Sequence, residues 1–337
     1  MSWLYALETL RHAAPWLAAV FSFVTNLGGE AVFFVIGLYL LWCIDKREGF
    51  YVLSVSFLGT VVNQTLKILC RIPRPWVRDP HFTIWEGARA EAAGYSFPSG
   101  HSQNAVGTFG SLALWHCKRR AALIVFPILI SLVIFSRMFL GVHTPADVFV
   151  GAGISLALVF LVYPVFSRER GQRALIAWVI FLLLVSLSYL LFVLLFRFPA
   201  DTDRINLAEA RKNGWSLVGS VAGMLCFALI EPRFIRYKTE APLPAQIVKL
   251  LGGFALTLGL KEGLKPLFAL LFGDALFPNA IRYFLVVLAA GLLWPLTFPY
   301  LSNIGAKRSA ARKPGSTLLA RGIRKDISTK NETRQQR

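Results

Sequence analysis

The chain has 337 residues, of which 55% are hydrophobic and only 16% charged, against about 25% charged in an ordinary soluble domain. That balance argues against a soluble globular protein and for a polytopic membrane protein. A net charge of +18 would suggest nucleic acid in a soluble chain, but its distribution along this one points to membrane topology instead, and no nucleic-acid partner is expected.

Taken in chain order, apolar runs near the roughly 20 residues that a span requires are predicted at 31–44, 50–70, 100–117, 121–140, 146–166, 174–197, 215–231, 246–272 and 283–303. A shorter run at 14–24 is set off from the next by Asn26, Gly28, Gly29 and Glu30, and either spans or lies in the interface. The expected fold class is all-α, a polytopic membrane helix bundle of about nine or ten spans. Met1-Ser2-Trp3-Leu4-Tyr5 lacks a basic lead, so no cleaved signal peptide is expected. Cys43, Cys70, Cys117 and Cys226 form no CxxC pair and read as small buried hydrophobes.

The short connections sort by charge. Lys46 and Arg47, then Lys118, Arg119 and Arg120, then Arg168, Arg170 and Arg173, then Arg233, Arg236 and Lys238 fall on alternate connections. The tail from 306 adds ten Lys or Arg and has almost no aromatics, so it is expected to be disordered and to touch anionic headgroups. By the positive-inside rule these segments, and the C-terminus with them, are expected to be cytoplasmic. The opposite side, facing the periplasm, the exterior or an organelle lumen, receives 71–99, 141–146 and 198–214, the last reading as a solvated loop.

The unusual polar residues lie on that opposite side, in three clusters. The first closes the span at 50–70, where Asn63 and Lys67 share a helical face and Arg74-Pro75 follows. Lys67, Arg71 and Arg74 are either interfacial anchors or face a cavity; Arg71 keeps the anchor reading. The second is Gly94-Tyr95-Ser96-Phe97-Pro98-Ser99-Gly100-His101. Pro98 suits a first helical turn, and Ser99 and Gly100 offer free amides where the helix dipole favours an anion. His101, one residue on, is placed to donate a proton. The third is Ser136-Arg137, then His143-Thr144-Pro145-Ala146-Asp147. Asp147 falls where it either completes a capping box with Thr144 or orients His143, and the spacing allows both. Three cations and an amide nest suit a multiply charged oxyanion, and two histidines suit a nucleophile and an acid. That set points to phosphoryl transfer with electrostatic stabilisation. No carboxylate cluster is available for Mg²⁺, so neither metal nor cofactor is expected.

Lys67-x6-Arg74-Pro75, Pro98-Ser99-Gly100-His101 and Ser136-Arg137-x5-His143-x3-Asp147 together resemble the type 2 phosphatidic acid phosphatase family, integral-membrane lipid phosphatases whose helical core is shared with vanadium-dependent haloperoxidases. All three elements are present, in order and without departure. The resemblance implies a six-helix phosphatase core over about 30–170. It implies His143 as the nucleophile, Asp147 polarising it, and His101 protonating the leaving group and later activating water. Lys67, Arg74, Ser99, Gly100 and Arg137 would then hold the phosphate. The expected substrate is a lipid phosphate or diphosphate entering from the bilayer of the bacterial cell membrane. A phosphotransferase using the same intermediate, or a transporter or scaffold retaining the phosphate site, are the alternatives. Outside this core stand an N-terminal helix at 1–29, additional transmembrane helices at 171–305 and the tail at 306–337. Within the additional helices Lys261, Glu262 and Lys265 interrupt an apolar run. They either mark a broken helix lining a cavity or form a neutral pair beside a kink at Pro266. Oligomeric state is not encoded in these features.

Overall fold

Helices begin where the sequence supplies a cap. In the computed structural model, which describes residues 2–92, 94–168 and 171–304, the Asp45 carboxylate accepts from the amides of Arg47 and Glu48 and opens a helix at Lys46. Asp203 accepts from Asn206 N and opens the helix at Arg204. These side chains satisfy amides that have no partner inside a first turn. Arg170 and the basic tail lie outside the described residues.

The elements are α1 (Ser2–Ala13), α2 (Pro15–Thr25), α3 (Glu30–Tyr39), α4 (Lys46–Cys70), α5 (Gly100–Ala105), α6 (Arg120–Phe139), α7 (Pro145–Ser167), α8 (Gly171–Leu195), α9 (Arg204–Ile230), α10 (Leu243–Phe272) and α11 (Pro278–Leu288). One wider π turn extends α3 to Ile44, and another joins α5 to a helical run ending at Trp115. There is no strand among the described residues.

Among the described residues seven helices are long and apolar enough to cross a membrane. The pair Pro15–Gly28 and Glu30–Ile44 passes the same test together but is bent by 51°, the form of a broken span or a re-entrant loop. The predicted span at 100–117 is helical from 100 to 115 but interrupted by its π turn, and it is too short for the same test. The described residues thus give seven or eight candidate passes, against the nine or ten expected. The run at 14–24 does not cross separately. Its helix α2 leans against the last turns of α6 through Phe21, whose ring lies 5.2 Å from Phe135 and 4.8 Å from Phe139.

Two corrections concern the connections. Residues 198–214 are not all loop: α9 starts at Arg204, so its polar first three turns continue the span outward. Of the four cysteines only Cys43 is buried; Cys70 and Cys117 are exposed.

Contacts define two ends of the bundle. At one, Lys46 Nζ lies 2.6 Å from Glu231 Oε1 and donates to the Tyr237 carbonyl at 2.6 Å. His116 Nε2 lies 2.8 Å from Glu48 Oε1 at the same end. The other end carries 71–99, 140–144 and 196–203, and is covered by α1 and α2. There Arg11 donates to the carbonyls of Phe139 (2.6 Å) and Thr83, and Tyr5 donates to Asp79 at 2.6 Å. Leu4, Phe82, Phe139 and Leu140 form the apolar seal beneath that cover. The main core joins α4, α7, α8 and α9, with Tyr51 stacked on Trp115 at 5.7 Å and Phe50 on Phe227 at 5.1 Å.

Candidate active site

The three polar clusters, spread over eighty residues, meet under the α1–α2 cover. Arg74, at the start of a helical turn after α4, is 5% exposed; Arg137 on α6 is 0%, His143 1% and Asp147 2%. Ionised groups this deeply buried are retained only with partners or a bound counter-charge.

Asp147 is the centre of the local folding. Its carboxylate accepts from Thr144 N at 2.7 Å while Thr144 Oγ accepts from Asp147 N at 3.4 Å, a capping box with Pro145 in the first turn. The same carboxylate accepts from Ser96 Oγ at 2.6 Å, and Oδ2 stands 3.5 Å from His143 Nδ1. The Asp147 carbonyl accepts from Ser99 N at 2.9 Å. Both readings left open by the spacing are therefore present in one residue: it caps α7 and it faces the imidazole. That last separation is an ion-pair distance and wider than a hydrogen bond.

The tautomer of His143 follows from its other nitrogen. Arg74 Nη1 lies 2.8 Å from His143 Nε2 and also donates to the Val142 carbonyl at 3.0 Å. A guanidinium only donates, so Nε2 accepts and carries the lone pair, which leaves the proton on Nδ1, toward Asp147. Burial, reinforced by the charges of Arg74, Arg137, Lys67 and His101, holds His143 well below the ordinary imidazole range. The neutral ring therefore has its Nε2 lone pair engaged by Arg74.

The remaining predicted residues surround this pair. Lys67 Nζ donates to the Tyr95 carbonyl at 2.7 Å, and Arg74 Nε to the Gly94 carbonyl at 3.0 Å. The 94–96 backbone thus fixes both cations. Ser99 caps α5, its oxygen accepting from Ser102 N at 3.4 Å and Ser102 Oγ at 3.0 Å. Gly100 opens that helix. The backbone at Ser99 is approached so closely by α7 that a Cβ at Gly151 would sit 2.6 Å from the Ser99 carbonyl, so only glycine fits there. Arg137 Nη1 donates to Thr25 Oγ1 at 2.8 Å, while its Nε and Nη2 have no partner among the described residues. Arg71, the anchor, instead reaches Asp201 Oδ1 at 3.0 Å and Thr202 Oγ1 at 3.1 Å, away from the cluster.

Three participants went unread in the sequence. Thr25 arrives from α2, Ser96 from the connection before α5, and Glu91 from the same connection with Oε2 3.4 Å from His101 Nε2. That contact with His101 holds the Glu91 carboxyl below its ordinary range against the opposing effect of burial, with help from the charges of His101 and Arg137. Gly28 lets the cover close down: a Cβ there would lie 2.7 Å from the His101 carbonyl. Ser96 carried a signal, since it sits three residues before the helix cap in an otherwise apolar lead. Nothing in the local sequence marks Thr25 or Glu91.

A buried His–Asp pair stands near Lys67, Arg74 and Arg137 inside an all-helical membrane-spanning bundle, so the class is an integral-membrane protein with a buried, cation-rich polar site. Two family models agree with that class. Residues 48–171 match the PAP2 superfamily, and residues 215–307 match the PAP2 superfamily phosphatase, transmembrane extension. The chain belongs to the PAP2 superfamily. It is 24% identical over 287 residues to sphingosine-1-phosphate phosphatase 1 of Rattus norvegicus, covering 83% of this chain and 60% of that protein's length. It is 29% identical over 160 residues to phosphatidylglycerophosphatase B of Bacillus subtilis (strain 168), covering 44% of this chain and 74% of that one. The crystal structure of a transmembrane PAP2 type phosphatidylglycerolphosphate phosphatase from Bacillus subtilis matches 48% of this chain and 84% of its own at 29% identity, with a TM-score of 0.39.

Proposed function

We propose that the protein hydrolyses a lipid phosphate or diphosphate through a phosphohistidine at His143, without a metal ion. The observation that carries this reading is the line Arg74–His143–Asp147 beside the two partnerless donors of Arg137. An acceptor nitrogen is held by one guanidinium, its proton faces a carboxylate, and buried N–H groups stand ready for equatorial oxygens. A second support is the likeness to relatives named for phosphatase activity on sphingosine 1-phosphate, phosphatidylglycerophosphate and undecaprenyl diphosphate.

In this mechanism Arg74 turns its Nη1 from His143 Nε2 to a phosphate oxygen, and the released Nε2 lone pair attacks phosphorus. The bond to the lipid oxygen breaks, and the leaving oxygen takes a proton from His101. Asp147 stabilises the positive charge that spreads over the imidazole. Water, giving its proton back to His101, then attacks phosphorus; the P–N bond breaks and inorganic phosphate leaves. Lys67, Arg74, Arg137, the Ser99 hydroxyl and the Gly100 amide neutralise the oxygens as charge shifts among them, which is where electrostatic catalysis acts. Glu91 stands where it supports the protonated form of His101. The site lies at the end opposite the basic connections, so by the positive-inside rule it faces away from the cytoplasm and the C-terminus lies within it.

The test is phosphate release in detergent micelles from a panel of sphingoid-base phosphate, phosphatidylglycerophosphate, phosphatidate and polyprenyl diphosphate, with and without chelator. We expect His143→Ala to lose about 10³-fold or more in kcat, the scale seen when a catalytic nucleophile is removed. Full activity in that variant, or a complete loss with chelator that metal restores, overturns the mechanism. Transfer of the phosphate to an added acceptor lipid in place of water would reassign the protein to phosphotransfer.

A further inference from the structure

The second half of the chain does more than enclose the first. An apolar cavity of about 400 Å³ lies between α3 and α4 on one side and α9, α10 and α11 on the other, within the roughly 300–1,000 Å³ typical of ligand pockets. It contains none of the candidate active-site residues. The α3 helix separates the two, because its other face, with Val32, Ile36 and Leu40, packs against Ala105, Phe109 and Val133. At its deep end the cavity is closed by Trp42 and Phe254, their rings 5.7 Å apart.

The cavity opens sideways into the bilayer because α10 is docked along only half its length. Ala245, Lys249, Gly253 and Thr257, one residue per turn, are buried. Beyond them Leu258, Leu270 and Leu271 are 59%, 83% and 62% exposed. The helix itself runs unbroken through Gly263 and Pro266, so no broken helix forms here. Instead the buried face of a continuous helix ends at Thr257, and the space beside its exposed half forms a wedge.

The rim of that wedge carries one carboxylate and one ammonium. Glu30 opens α3, and Lys261 faces the cavity from α10. Lys261 lies 3.5 Å from Glu262, its sequence neighbour, on the exposed surface. Among the described residues Glu30 is in none of the ion pairs. A carboxylate in a first turn favours its own helix dipole, but that does not account for a lysine facing the same cavity.

We propose that this wedge is a binding site for one chain of a zwitterionic bilayer lipid. The lipid's ammonium lies toward Glu30, its phosphate toward Lys261, and its chain runs between Val35 and Leu258 toward Trp42 and Phe254. Spans bound the wedge on three sides and bilayer on the fourth, so a lipid is what reaches it, and the paired opposite charges select a dipolar head over an anionic one. The lipid is held at the same time as a substrate, since α3 stands between the two sites.

Native mass spectrometry of the full chain, purified and then exposed to equal amounts of phosphatidylethanolamine and phosphatidylglycerol, tests the assignment. One equivalent of phosphatidylethanolamine is expected to be retained over phosphatidylglycerol by about tenfold, a ratio equal to ~1.4 kcal/mol. Glu30→Gln should abolish the preference, because the carboxylate that meets the ammonium and repels an anionic head is gone while Lys261 remains. Val35→Trp and Leu258→Trp fill the wedge from opposite walls at exposed positions, so either should remove the bound lipid while leaving a monodisperse, active protein. Equal retention by wild type and both tryptophan variants overturns the proposal. So does preferential retention of the anionic lipid, or a dimer that either tryptophan dissociates, which would make a second copy the occupant. Phosphate release measured on the same samples is independent of these outcomes, so failure of the lipid site and failure of the catalytic reading are told apart.

Discussion

In the half of the chain that ends at Ser167, the charged residues inside the bundle come from distant segments and engage one another: Arg74 touches His143, His143 faces Asp147, and Asp147 binds Ser96 and Thr144. In the half that begins at Gly171, Lys261 and Glu262 are sequence neighbours on one helix, with side chains 43% and 64% exposed. The first arrangement cannot be explained as tolerance. Three cations and one carboxylate packed together carry a net positive charge that costs stability, and such a cluster is what a bound dianion would neutralise. The second is tolerable because its groups reach solvent or headgroups. An excess of buried cations gathered from several segments therefore sets this cluster apart both from the paired charges Lys46–Glu231 and His116–Glu48 and from charge that merely interrupts an apolar run.

The sharpest way to break that contrast is Asp147→Asn. Asparagine keeps one side-chain oxygen that can still accept from Thr144 N, so the first turn of α7 can stay capped. The protein should still fold, with a melting temperature lowered by the loss of a buried negative charge among three cations, while kcat falls by about 10²–10⁴, as when a carboxylate that orients a catalytic histidine becomes an amide. Loss of folding with little loss of kcat in the folded fraction would make Asp147 a cap only. Next in size is Arg137→Lys. A lysine keeps the charge but gives up the fork that binds Thr25 and leaves two donors for the anion. A loss in kcat of about 10²-fold is expected, the scale of one oxyanion donor. If activity survives unchanged, the two partnerless nitrogens do not touch substrate.

How much of this was legible in the sequence depends on what each residue answers to. In the proposed mechanism the cations, histidines and Asp147 answer to chemistry, which dictates residue type and spacing, so they stand out against an apolar background. The spans answer to bilayer thickness, and most were placed within a turn. The start of α9 was hidden because its first turns hold Arg204, Glu209, Arg211 and Lys212, a composition that reads as loop although Asp203 caps it. The α2–α3 bend was hidden because apolar length does not reveal direction. Thr25 and Glu91 were illegible for a different reason. Each acquires its role only when a cover or connection folds back over the site, and no local pattern encodes that return.

Glu91 gives a smaller effect that tests this folding back. Its carboxylate lies 3.4 Å from His101 Nε2 and favours the protonated imidazole. Glu91→Gln removes that negative charge, so His101 loses its proton at a lower pH and the alkaline limb of kcat moves toward acid. At neutral pH a loss of about tenfold is expected, within the 10²–10⁴ that general acid catalysis supplies in full. A purely structural Glu91 would lower activity, if at all, equally at every pH.

The smallest effect is expected in the extension. Glu262→Gln removes the only acid within ion-pair distance of Lys261 among the described residues. Both groups are largely exposed, and exposed pairs contribute little because solvent competes for each charge. Phosphate release should stay within about twofold of wild type, with the melting temperature unchanged, because a surface substitution away from caps, core and site is close to neutral. A tenfold fall would mean that this pair, like the one at His143 and Asp147, is held by something the exposed surface does not reveal. The contrast between the two halves would then have to be drawn by distance from the catalytic cluster and not by burial. If the fall is absent, this exposed pair takes no part in the reaction across α3.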